Sequence, residues 1–118
     1  MKVNLRRSAD FQKVYRQGKR YDGVLMTAFV LPNKLSHNRL GITASRKAVG
    51  NAVDRNRARR LLRETFRLKI TSLDSLPQTY DWVINAKRRL PCLKLSAAME
   101  DFEGLLVRVT KAESKLRE

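Results

Sequence analysis

Helical spacing of apolar residues predicts three helices along the chain. The first covers residues 8–17, where Ser8 can act as the N-cap and Gly18 can end the helix. The second begins at Asn51, a typical cap residue, and continues to about residue 70; the third follows Pro91. The residues that carry the three patterns are Phe11, Val14 and Tyr15; Ala58, Leu61, Leu62, Thr65 and Leu68; and Met99, Phe102, Leu106 and Val109.

Two other segments have the pattern of β-strands. Residues 24–31 are mostly apolar, and in residues 39–45 the apolar Leu40, Ile42 and Ala44 alternate with Gly41, Thr43 and Ser45. We interpret them as antiparallel strands, with a short irregular edge near residues 19–22 and a further strand at 80–87. This order of elements predicts one α+β domain spanning residues 1–118, with helices packed on a sheet. We expect the tail, from about residue 112 to residue 118, to fray.

The composition predicts a polyanionic partner. The 118 residues include 26 Lys or Arg and 11 Asp or Glu, which gives a formal net charge of +15 and a pI near 11.0. A hydrophobic fraction of 42% is too high for a disordered basic tail. Because so many like charges repel one another in the folded state, we expect sulfate, phosphate or RNA to stabilise the fold by binding to it.

The cysteine and histidine content argues against several classes of protein. The lone Cys92 and the lone His37 can form neither a disulfide framework nor a zinc site, and an unpaired cysteine fits a reducing compartment. No apolar run reaches the roughly 18 residues of a membrane span, and residues 1–7 do not lead into a signal-peptide core. We therefore expect a cytoplasmic protein without a membrane anchor.

The second predicted helix has one face of arginines. Arg59, Arg63 and Arg67 form a ridge at i+4 spacing, with Asn56 and Arg60 beside it and no acidic residue on the ridge itself. Such a face is commonly only solvated. Here, however, the like charges repel one another when no partner is present, which favours a surface that binds successive phosphates.

The residues around this helix carry a family resemblance. The segment 45–64, SRKAVGNAVDRNRARRLLRE, resembles the signature of the bacterial ribonuclease P protein, centred on Arg-Asn-Arg at 55–57. The segment 10–15, together with Gly18, resembles the first helix of that family. The resemblance implies a single-domain αβββαβα sandwich with a left-handed βαβ crossover, like one domain of a small-subunit ribosomal protein. Sequence pattern alone would predict a right-handed crossover.

The resemblance also implies a function. In this family, the catalytic RNA subunit removes the 5′ leader of precursor tRNA using magnesium held mainly by RNA, and the protein binds no cofactor and is not itself catalytic. The basic helix faces the RNA core, and a cleft holds the leader. With Arg67 added from the ridge, the residues expected to bind the RNA core are Arg46, Lys47, Asn51, Arg55, Asn56, Arg57, Arg59, Arg60, Arg63 and Arg67.

The leader cleft is expected to contain Phe11, Lys13, Tyr15 and Phe29. Rings on the first helix and on a facing strand can stack on unpaired bases of any identity. Aromatic residues at this spacing are also common in cores, so pattern alone leaves both interpretations open. Trp82, Phe66 and Phe102 are predicted to be core residues.

Three other functions remain as alternatives. A structural RNA-binding protein, such as a ribosomal component, would share the charge and the arginine helix. A protein-only nuclease would need clustered carboxylates or a poised acid and base, and the acidic group at residues 100–103 instead has the pattern of a solvated helix face. A sequence-specific DNA-binding protein would need a helix-turn-helix pair, which the pattern does not contain.

Overall fold

The computed structural model describes residues 4–116, which form a four-stranded sheet with helices on both faces. The helices are α1 (Ser8–Gln17), α2 (Arg46–Val49), α3 (Ala52–Leu73) and α4 (Leu95–Leu116), with a 3-10 turn at Leu90–Cys92. The strands are β1 (Lys19–Asp22), β2 (Met26–Pro32), β3 (Arg39–Thr43) and β4 (Tyr80–Ala86). The predicted α+β fold is confirmed, and the short α2 is an addition to it. None of the described helices is long and apolar enough to cross a membrane.

The strands are ordered β1-β2-β4-β3. β1 pairs with β2 and β2 with β4 in antiparallel fashion, whereas β3 and β4 are parallel. β2 and β3 therefore run in opposite directions, as predicted, but they are not neighbours because β4 lies between them. The parallel β3–β4 pair is connected through α2 and α3, which places the basic helix across one face of the sheet.

The main core lies between the sheet and the helices α3 and α4. Trp82 of β4 is fully buried, and its ring centroid lies 6.1 Å from that of Phe66 on α3 and 5.9 Å from that of Phe102 on α4. The prediction that these three aromatic residues belong to the core is confirmed. Their burial fixes one side of α3 against the sheet, so the opposite side of that helix faces solvent.

Helix α1 packs on the other face of the sheet. Val14 is fully buried there against Val83 of β4, and Leu5, Phe29 and Phe11 pack around them. Alternate residues of β2 and β4 supply this face because successive side chains of a strand point to opposite sides. The residues predicted for the leader cleft lie on or beside this second, smaller cluster.

Four local predictions were wrong. Helix α1 is capped at Arg7, not Ser8, because the backbone oxygen of Arg7 already accepts the first helical hydrogen bonds. The edge at 19–22 is a regular strand whose four residues all pair with β2. The basic helix continues beyond residue 70 to the buried Leu73, and Leu68 is 40% exposed, although it lies only about 20° around the helix from the buried Leu61.

Helix α4 extends into the C-terminal segment that we expected to fray. Helix α4 continues through Leu116, because Glu113 is buried and its carboxylate accepts a hydrogen bond from the Tyr80 hydroxyl at 2.8 Å. Lys19 Nζ lies 3.7 Å from the same carboxylate. Burial, reinforced by the bond to Glu113, raises the pKa of Tyr80. Helix α4 therefore includes residues 112–116 of the segment that we expected to fray, and residues 117–118 lie outside the described part of the chain.

Candidate RNA interface

The start of the basic helix is fixed by its own cap. Asn51 Oδ1 accepts a hydrogen bond from the backbone N–H of Asp54 at 2.8 Å, as predicted for a cap residue. Gly50, just before it, has a φ of 120°, a conformation that other residues rarely adopt. The turn between α2 and α3 is thus held in one geometry, with Arg46 and Lys47 exposed on α2. Asn51 has its oxygen committed to the cap, which leaves its amide N–H groups available as donors.

Two of the predicted RNA-binding arginines also hold the fold together. Arg55 Nε donates to the backbone oxygen of Ala44 at 2.8 Å. Arg57 donates from Nε to the oxygen of Pro91 at 2.6 Å and from Nη2 to that of Leu93 at 2.9 Å. These bonds tie α3 to the end of β3 and to the 3-10 turn before α4. The Arg-Asn-Arg signature therefore contributes structural contacts as well as charge.

Arg67 is not a free cation. Glu64, three residues before it on α3, accepts hydrogen bonds from two nitrogens of its guanidinium group, including Nε at 3.2 Å. The bond from Arg67 lowers the pKa of the Glu64 carboxyl, so the pair is charged at neutral pH. The expectation that no acidic residue would neutralise the ridge is wrong, because residues three apart are neighbours on a helix.

The rest of the predicted set is more accessible. Within residues 4–116, four of these side chains make no hydrogen bond or ion pair: Arg46, Lys47, Arg60 and Arg63. Arg59 is half-buried and donates to Asn56 Oδ1 at 3.3 Å, which orients its guanidinium group along the helix. The ridge thus presents cations at successive turns of α3, as a surface for phosphates requires.

A basic cavity connects the arginine ridge with the first helix. It has a volume of about 260 Å³ and lies at the β3 edge of the sheet. Its lining residues are Asn4, Leu5, Arg6, Phe11, Leu40, Ile42, Arg59 and Arg63. Sequence reasoning assigned Phe11 to the leader cleft and the two α3 arginines to the RNA core. The structure brings these three residues to one cavity, so the two candidate surfaces are continuous.

The aromatic residues of the predicted cleft form a small platform on the α1 face of the sheet. The rings of Tyr15 and Phe29 meet edge to face, with centroids 4.8 Å apart and an interplanar angle of 89°. Tyr15 is 37% exposed and Phe29 is half-buried, so part of each ring is open to solvent. Phe11 packs directly over Gly41, where an added Cβ would lie 2.6 Å from its Cζ atom. Lys13 is exposed on α1 and makes no hydrogen bond within the described residues.

The family model for ribonuclease P matches residues 1–110. The chain belongs to the ribonuclease P protein family. A ribonuclease P protein component of Natranaerobius thermophilus is 38% identical over 114 residues, which cover 97% of this chain and 91% of the relative. One from Clostridium botulinum is 40% identical over 88 residues, covering 74% and 77% of the two chains. Membership makes this chain a protein component of ribonuclease P, a ribonucleoprotein nuclease of tRNA processing.

Solved structures of ribonuclease P proteins share the fold. The Staphylococcus aureus protein matches with a TM-score of 0.77 at 27% identity, over 92% of this chain and 96% of that one. The Thermotoga maritima protein matches with a TM-score of 0.74 at 27% identity, over 91% and 97%. The α+β architecture derived from the pattern of apolar residues is thus the architecture of this family.

Sequence reasoning about this ribonuclease P protein missed three cations near the site. Arg20 of β1 lies opposite Phe29 in the β1–β2 register, and its Cζ is 5.8 Å from the centre of that ring. Arg6 lines the basic cavity, and Arg88 donates to the backbone oxygen of Lys47 at 3.3 Å. The strand register would have predicted Arg20 if residues 19–22 had been recognised as a regular strand. No periodic signal marks the other two.

Proposed function

We propose that the chain assists the catalytic RNA of ribonuclease P in removing the 5′ leader from precursor tRNA. It binds the RNA core through the arginine ridge of α3 and the leader through the Tyr15–Phe29 platform, in the cytoplasm. The observation that carries this proposal is the continuity of the two surfaces at the basic cavity. Phe11, which lines this cavity, lies one helical turn before Tyr15 of the platform.

The unpaired cations of α3 support contact with the RNA core. Arg60 and Arg63 are exposed and have no partner within the described residues, so their guanidinium groups are available to phosphate oxygens. Their repulsion costs stability in the free protein and is relieved when a polyanion binds. We therefore include sulfate and phosphate ions among the ligands that stabilise the free chain.

The platform supports contact with the leader. Partly exposed rings that meet edge to face offer a surface on which a base can stack, and stacking accepts any base. Arg20 beside Phe29 adds a cation for the accompanying phosphate. The edge-to-face contact holds Tyr15 and Phe29 in place before RNA arrives, which reduces the entropy lost on binding.

The chemistry of cleavage is assigned to the RNA. Among residues 4–116, no group of three or more His, Cys, Asp or Glu side chains lies close enough to hold a metal ion. We propose that magnesium in the ribonucleoprotein is held mainly by RNA and that the protein positions RNA without acting on the scissile bond. RNA-free protein should accordingly leave precursor tRNA intact, and cleavage by it would contradict this assignment.

Reconstitution with a ribonuclease P RNA tests the function. At low magnesium, the protein should restore 5′ cleavage of precursor tRNA, because its cationic side chains reduce the amount of magnesium that the RNA requires. A structural RNA-binding protein would bind the RNA without stimulating cleavage. Failure to stimulate at concentrations that saturate binding would therefore favour that alternative.

Alanine at Tyr15 or Phe29 tests the leader platform in the same holoenzyme. Each change should weaken binding of precursor tRNA by about 1–3 kcal/mol, the scale of one stacked base, and leave mature tRNA nearly unaffected. Val107→Ala is the matched control, because this exposed apolar residue lies on α4, across the sheet from α1. A folded Tyr15 or Phe29 variant with an unchanged ratio of precursor to mature affinity would remove that residue from the leader site.

A further inference from the structure

Asn85 lies at a polar junction under the aromatic platform. This β4 residue pairs with Thr27 of β2 on one side and Thr43 of β3 on the other, on the sheet face that α1 covers. Its Oδ1 accepts a hydrogen bond from the Tyr15 hydroxyl at 2.9 Å and another from Thr43 Oγ1 at 2.6 Å. Side chains from α1, β3 and β4 therefore meet at one amide oxygen.

These two bonds orient the rest of the amide. A carbonyl oxygen has two lone pairs, and both are engaged by hydroxyl donors, so the Asn85 side chain cannot rotate without losing them. Its Nδ2 group carries two donors, and no hydrogen bond within residues 4–116 uses either of them. The only buried side-chain nitrogen or oxygen without a partner in this part of the chain is Thr65 Oγ1. Asn85 Nδ2 is therefore not fully enclosed by the protein.

The open amide lies next to the stacking surface. Tyr15, whose hydroxyl anchors Asn85, is the residue whose ring meets Phe29. Stacking on these rings would bring the edge of an unpaired base close to Nδ2, where its N–H groups can donate to a base nitrogen or carbonyl oxygen. Proteins that read single-stranded RNA combine stacking with hydrogen bonds to base edges in this way.

We infer that Asn85 gives the leader platform a preference among bases, by donating from Nδ2 to acceptor atoms on the edge of the stacked base. The inference rests on the proposed binding of the leader at Tyr15 and Phe29, and it adds a selective contact to a surface that would otherwise accept any base. The ligand is one unpaired nucleotide of the leader. Tyr15 then has two roles, because its ring stacks on the base and its hydroxyl group holds the Asn85 amide in position beside that base.

Asn85→Asp removes the Nδ2 donor and keeps the hydrogen bonds that position the side chain. Aspartate is nearly isosteric, and one of its oxygens accepts the same two hydroxyl bonds, while the other replaces the donating Nδ2 with an acceptor. The new negative charge also repels phosphate, whatever the base. Gln17→Glu serves as the matched control. Gln17 is exposed on α1, the helix that covers the same face of the sheet, so glutamate there adds one charge without changing the hydrogen bonds of Asn85.

The measurement uses the reconstituted holoenzyme and precursor tRNAs in which each leader position in turn carries each of the four bases or no base. At one leader position, the affinity of the parent holoenzyme should differ among the four bases. Asn85→Asp should lower the affinity for the leader with the preferred base about two- to tenfold more than the affinity for the abasic leader, because one hydrogen bond is lost. Gln17→Glu should weaken all five leaders equally. An unchanged ranking in a folded Asn85→Asp holoenzyme would overturn the inference.

A second measurement needs no protein variant. The parent holoenzyme should lose its preference when the preferred base is replaced by an analogue that stacks but lacks the acceptor atom. Equal affinity for all four bases at every leader position would also overturn the assignment of Asn85. Failure of the proposed function has a different signature, because Tyr15→Ala would then leave the ratio of precursor to mature affinity unchanged.

Discussion

Alanine at Arg57 and alanine at Arg60 should affect this protein in different ways, although the two residues are three positions apart on one helix. Arg57 donates two hydrogen bonds to backbone oxygens, at Pro91 and Leu93, in the segment that leads into α4. Arg60 is exposed and has no partner within the described residues. The first residue therefore holds the fold together, and the second is available to RNA.

The geometry sets the size of the expected effects. A hydrogen bond from a charged donor contributes about 1.5–3 kcal/mol, and we take about half of this for each bond because the Arg57 side chain is partly exposed to water. With two such bonds, Arg57→Ala should lower the free energy of unfolding by about 1.5–3 kcal/mol. At this chain length that corresponds to a fall in melting temperature of roughly 6–12 °C. Arg60→Ala should stay within about 0.5 kcal/mol of the parent protein.

Thermal melting and RNA titration together test this division. Melting followed by circular dichroism should show the early transition only for Arg57→Ala. Titration of a ribonuclease P RNA at several salt concentrations should show that Arg60→Ala lowers the log–log salt slope by about 0.7–0.9, the loss of one phosphate contact. The reasoning would be refuted by an Arg57→Ala protein that melts with the parent, or by an Arg60→Ala protein that keeps the parental affinity and slope.

Three further predictions follow from the described contacts. Sulfate should raise the melting temperature more than chloride at equal ionic strength, because a net charge of +15 favours the binding of multivalent anions to the folded chain; equal melting would contradict this. Because the pKa of Tyr80 is raised above its ordinary value of 10.0, its contribution to the free energy of unfolding should be constant below pH 10.0 and fall above it. In urea titrations, the free energy of unfolding of Tyr80→Phe should therefore decline less at alkaline pH than that of the parent protein. Gly41→Ala should cost about 1–3 kcal/mol because its Cβ meets Phe11, whereas Gly104→Ala, with nothing within 4 Å, should not destabilise; similar denaturation midpoints would refute the contrast.

The elements of the fold were predictable because their apolar residues follow clear periods. The i, i+3, i+4 spacing of Phe11, Val14 and Tyr15 predicted α1 with the bounds that the structure has. The order of the strands in the sheet was not predictable from the pattern, since a hydrophobic run contains no information about which strand it will pair with. Placing β4 between β2 and β3 depends on long-range contacts. For the same reason, the buried Glu113 that keeps α4 helical was missed, because its partner Tyr80 lies 33 residues away.

The candidate site was predictable in its residue types and less so in their roles. Charge and family signature identified the arginines of α3, but only the contacts show that Arg57 is bonded to Pro91 and that Arg67 is paired with Glu64. A guanidinium group has five donors, so one side chain can brace the backbone and still face RNA. Asn85 was overlooked because a polar residue within a buried strand has no periodic signature. Its role depends on hydroxyl groups from two other elements.

The two surfaces that we propose for RNA lie on opposite faces of the sheet and approach each other at its β3 edge. Helix α1 and helix α3 cover different faces, so a ligand that contacts both must pass around an edge of the sheet. At the β3 edge, Gly41 has no side chain, and Phe11 packs into the space that a Cβ would fill. On the α3 side of the same strand, Ile42 lines the basic cavity together with Arg59. The β3 edge therefore carries a cavity lined by residues from both α1 and α3, with Arg6, Arg59 and Arg63 as its cations.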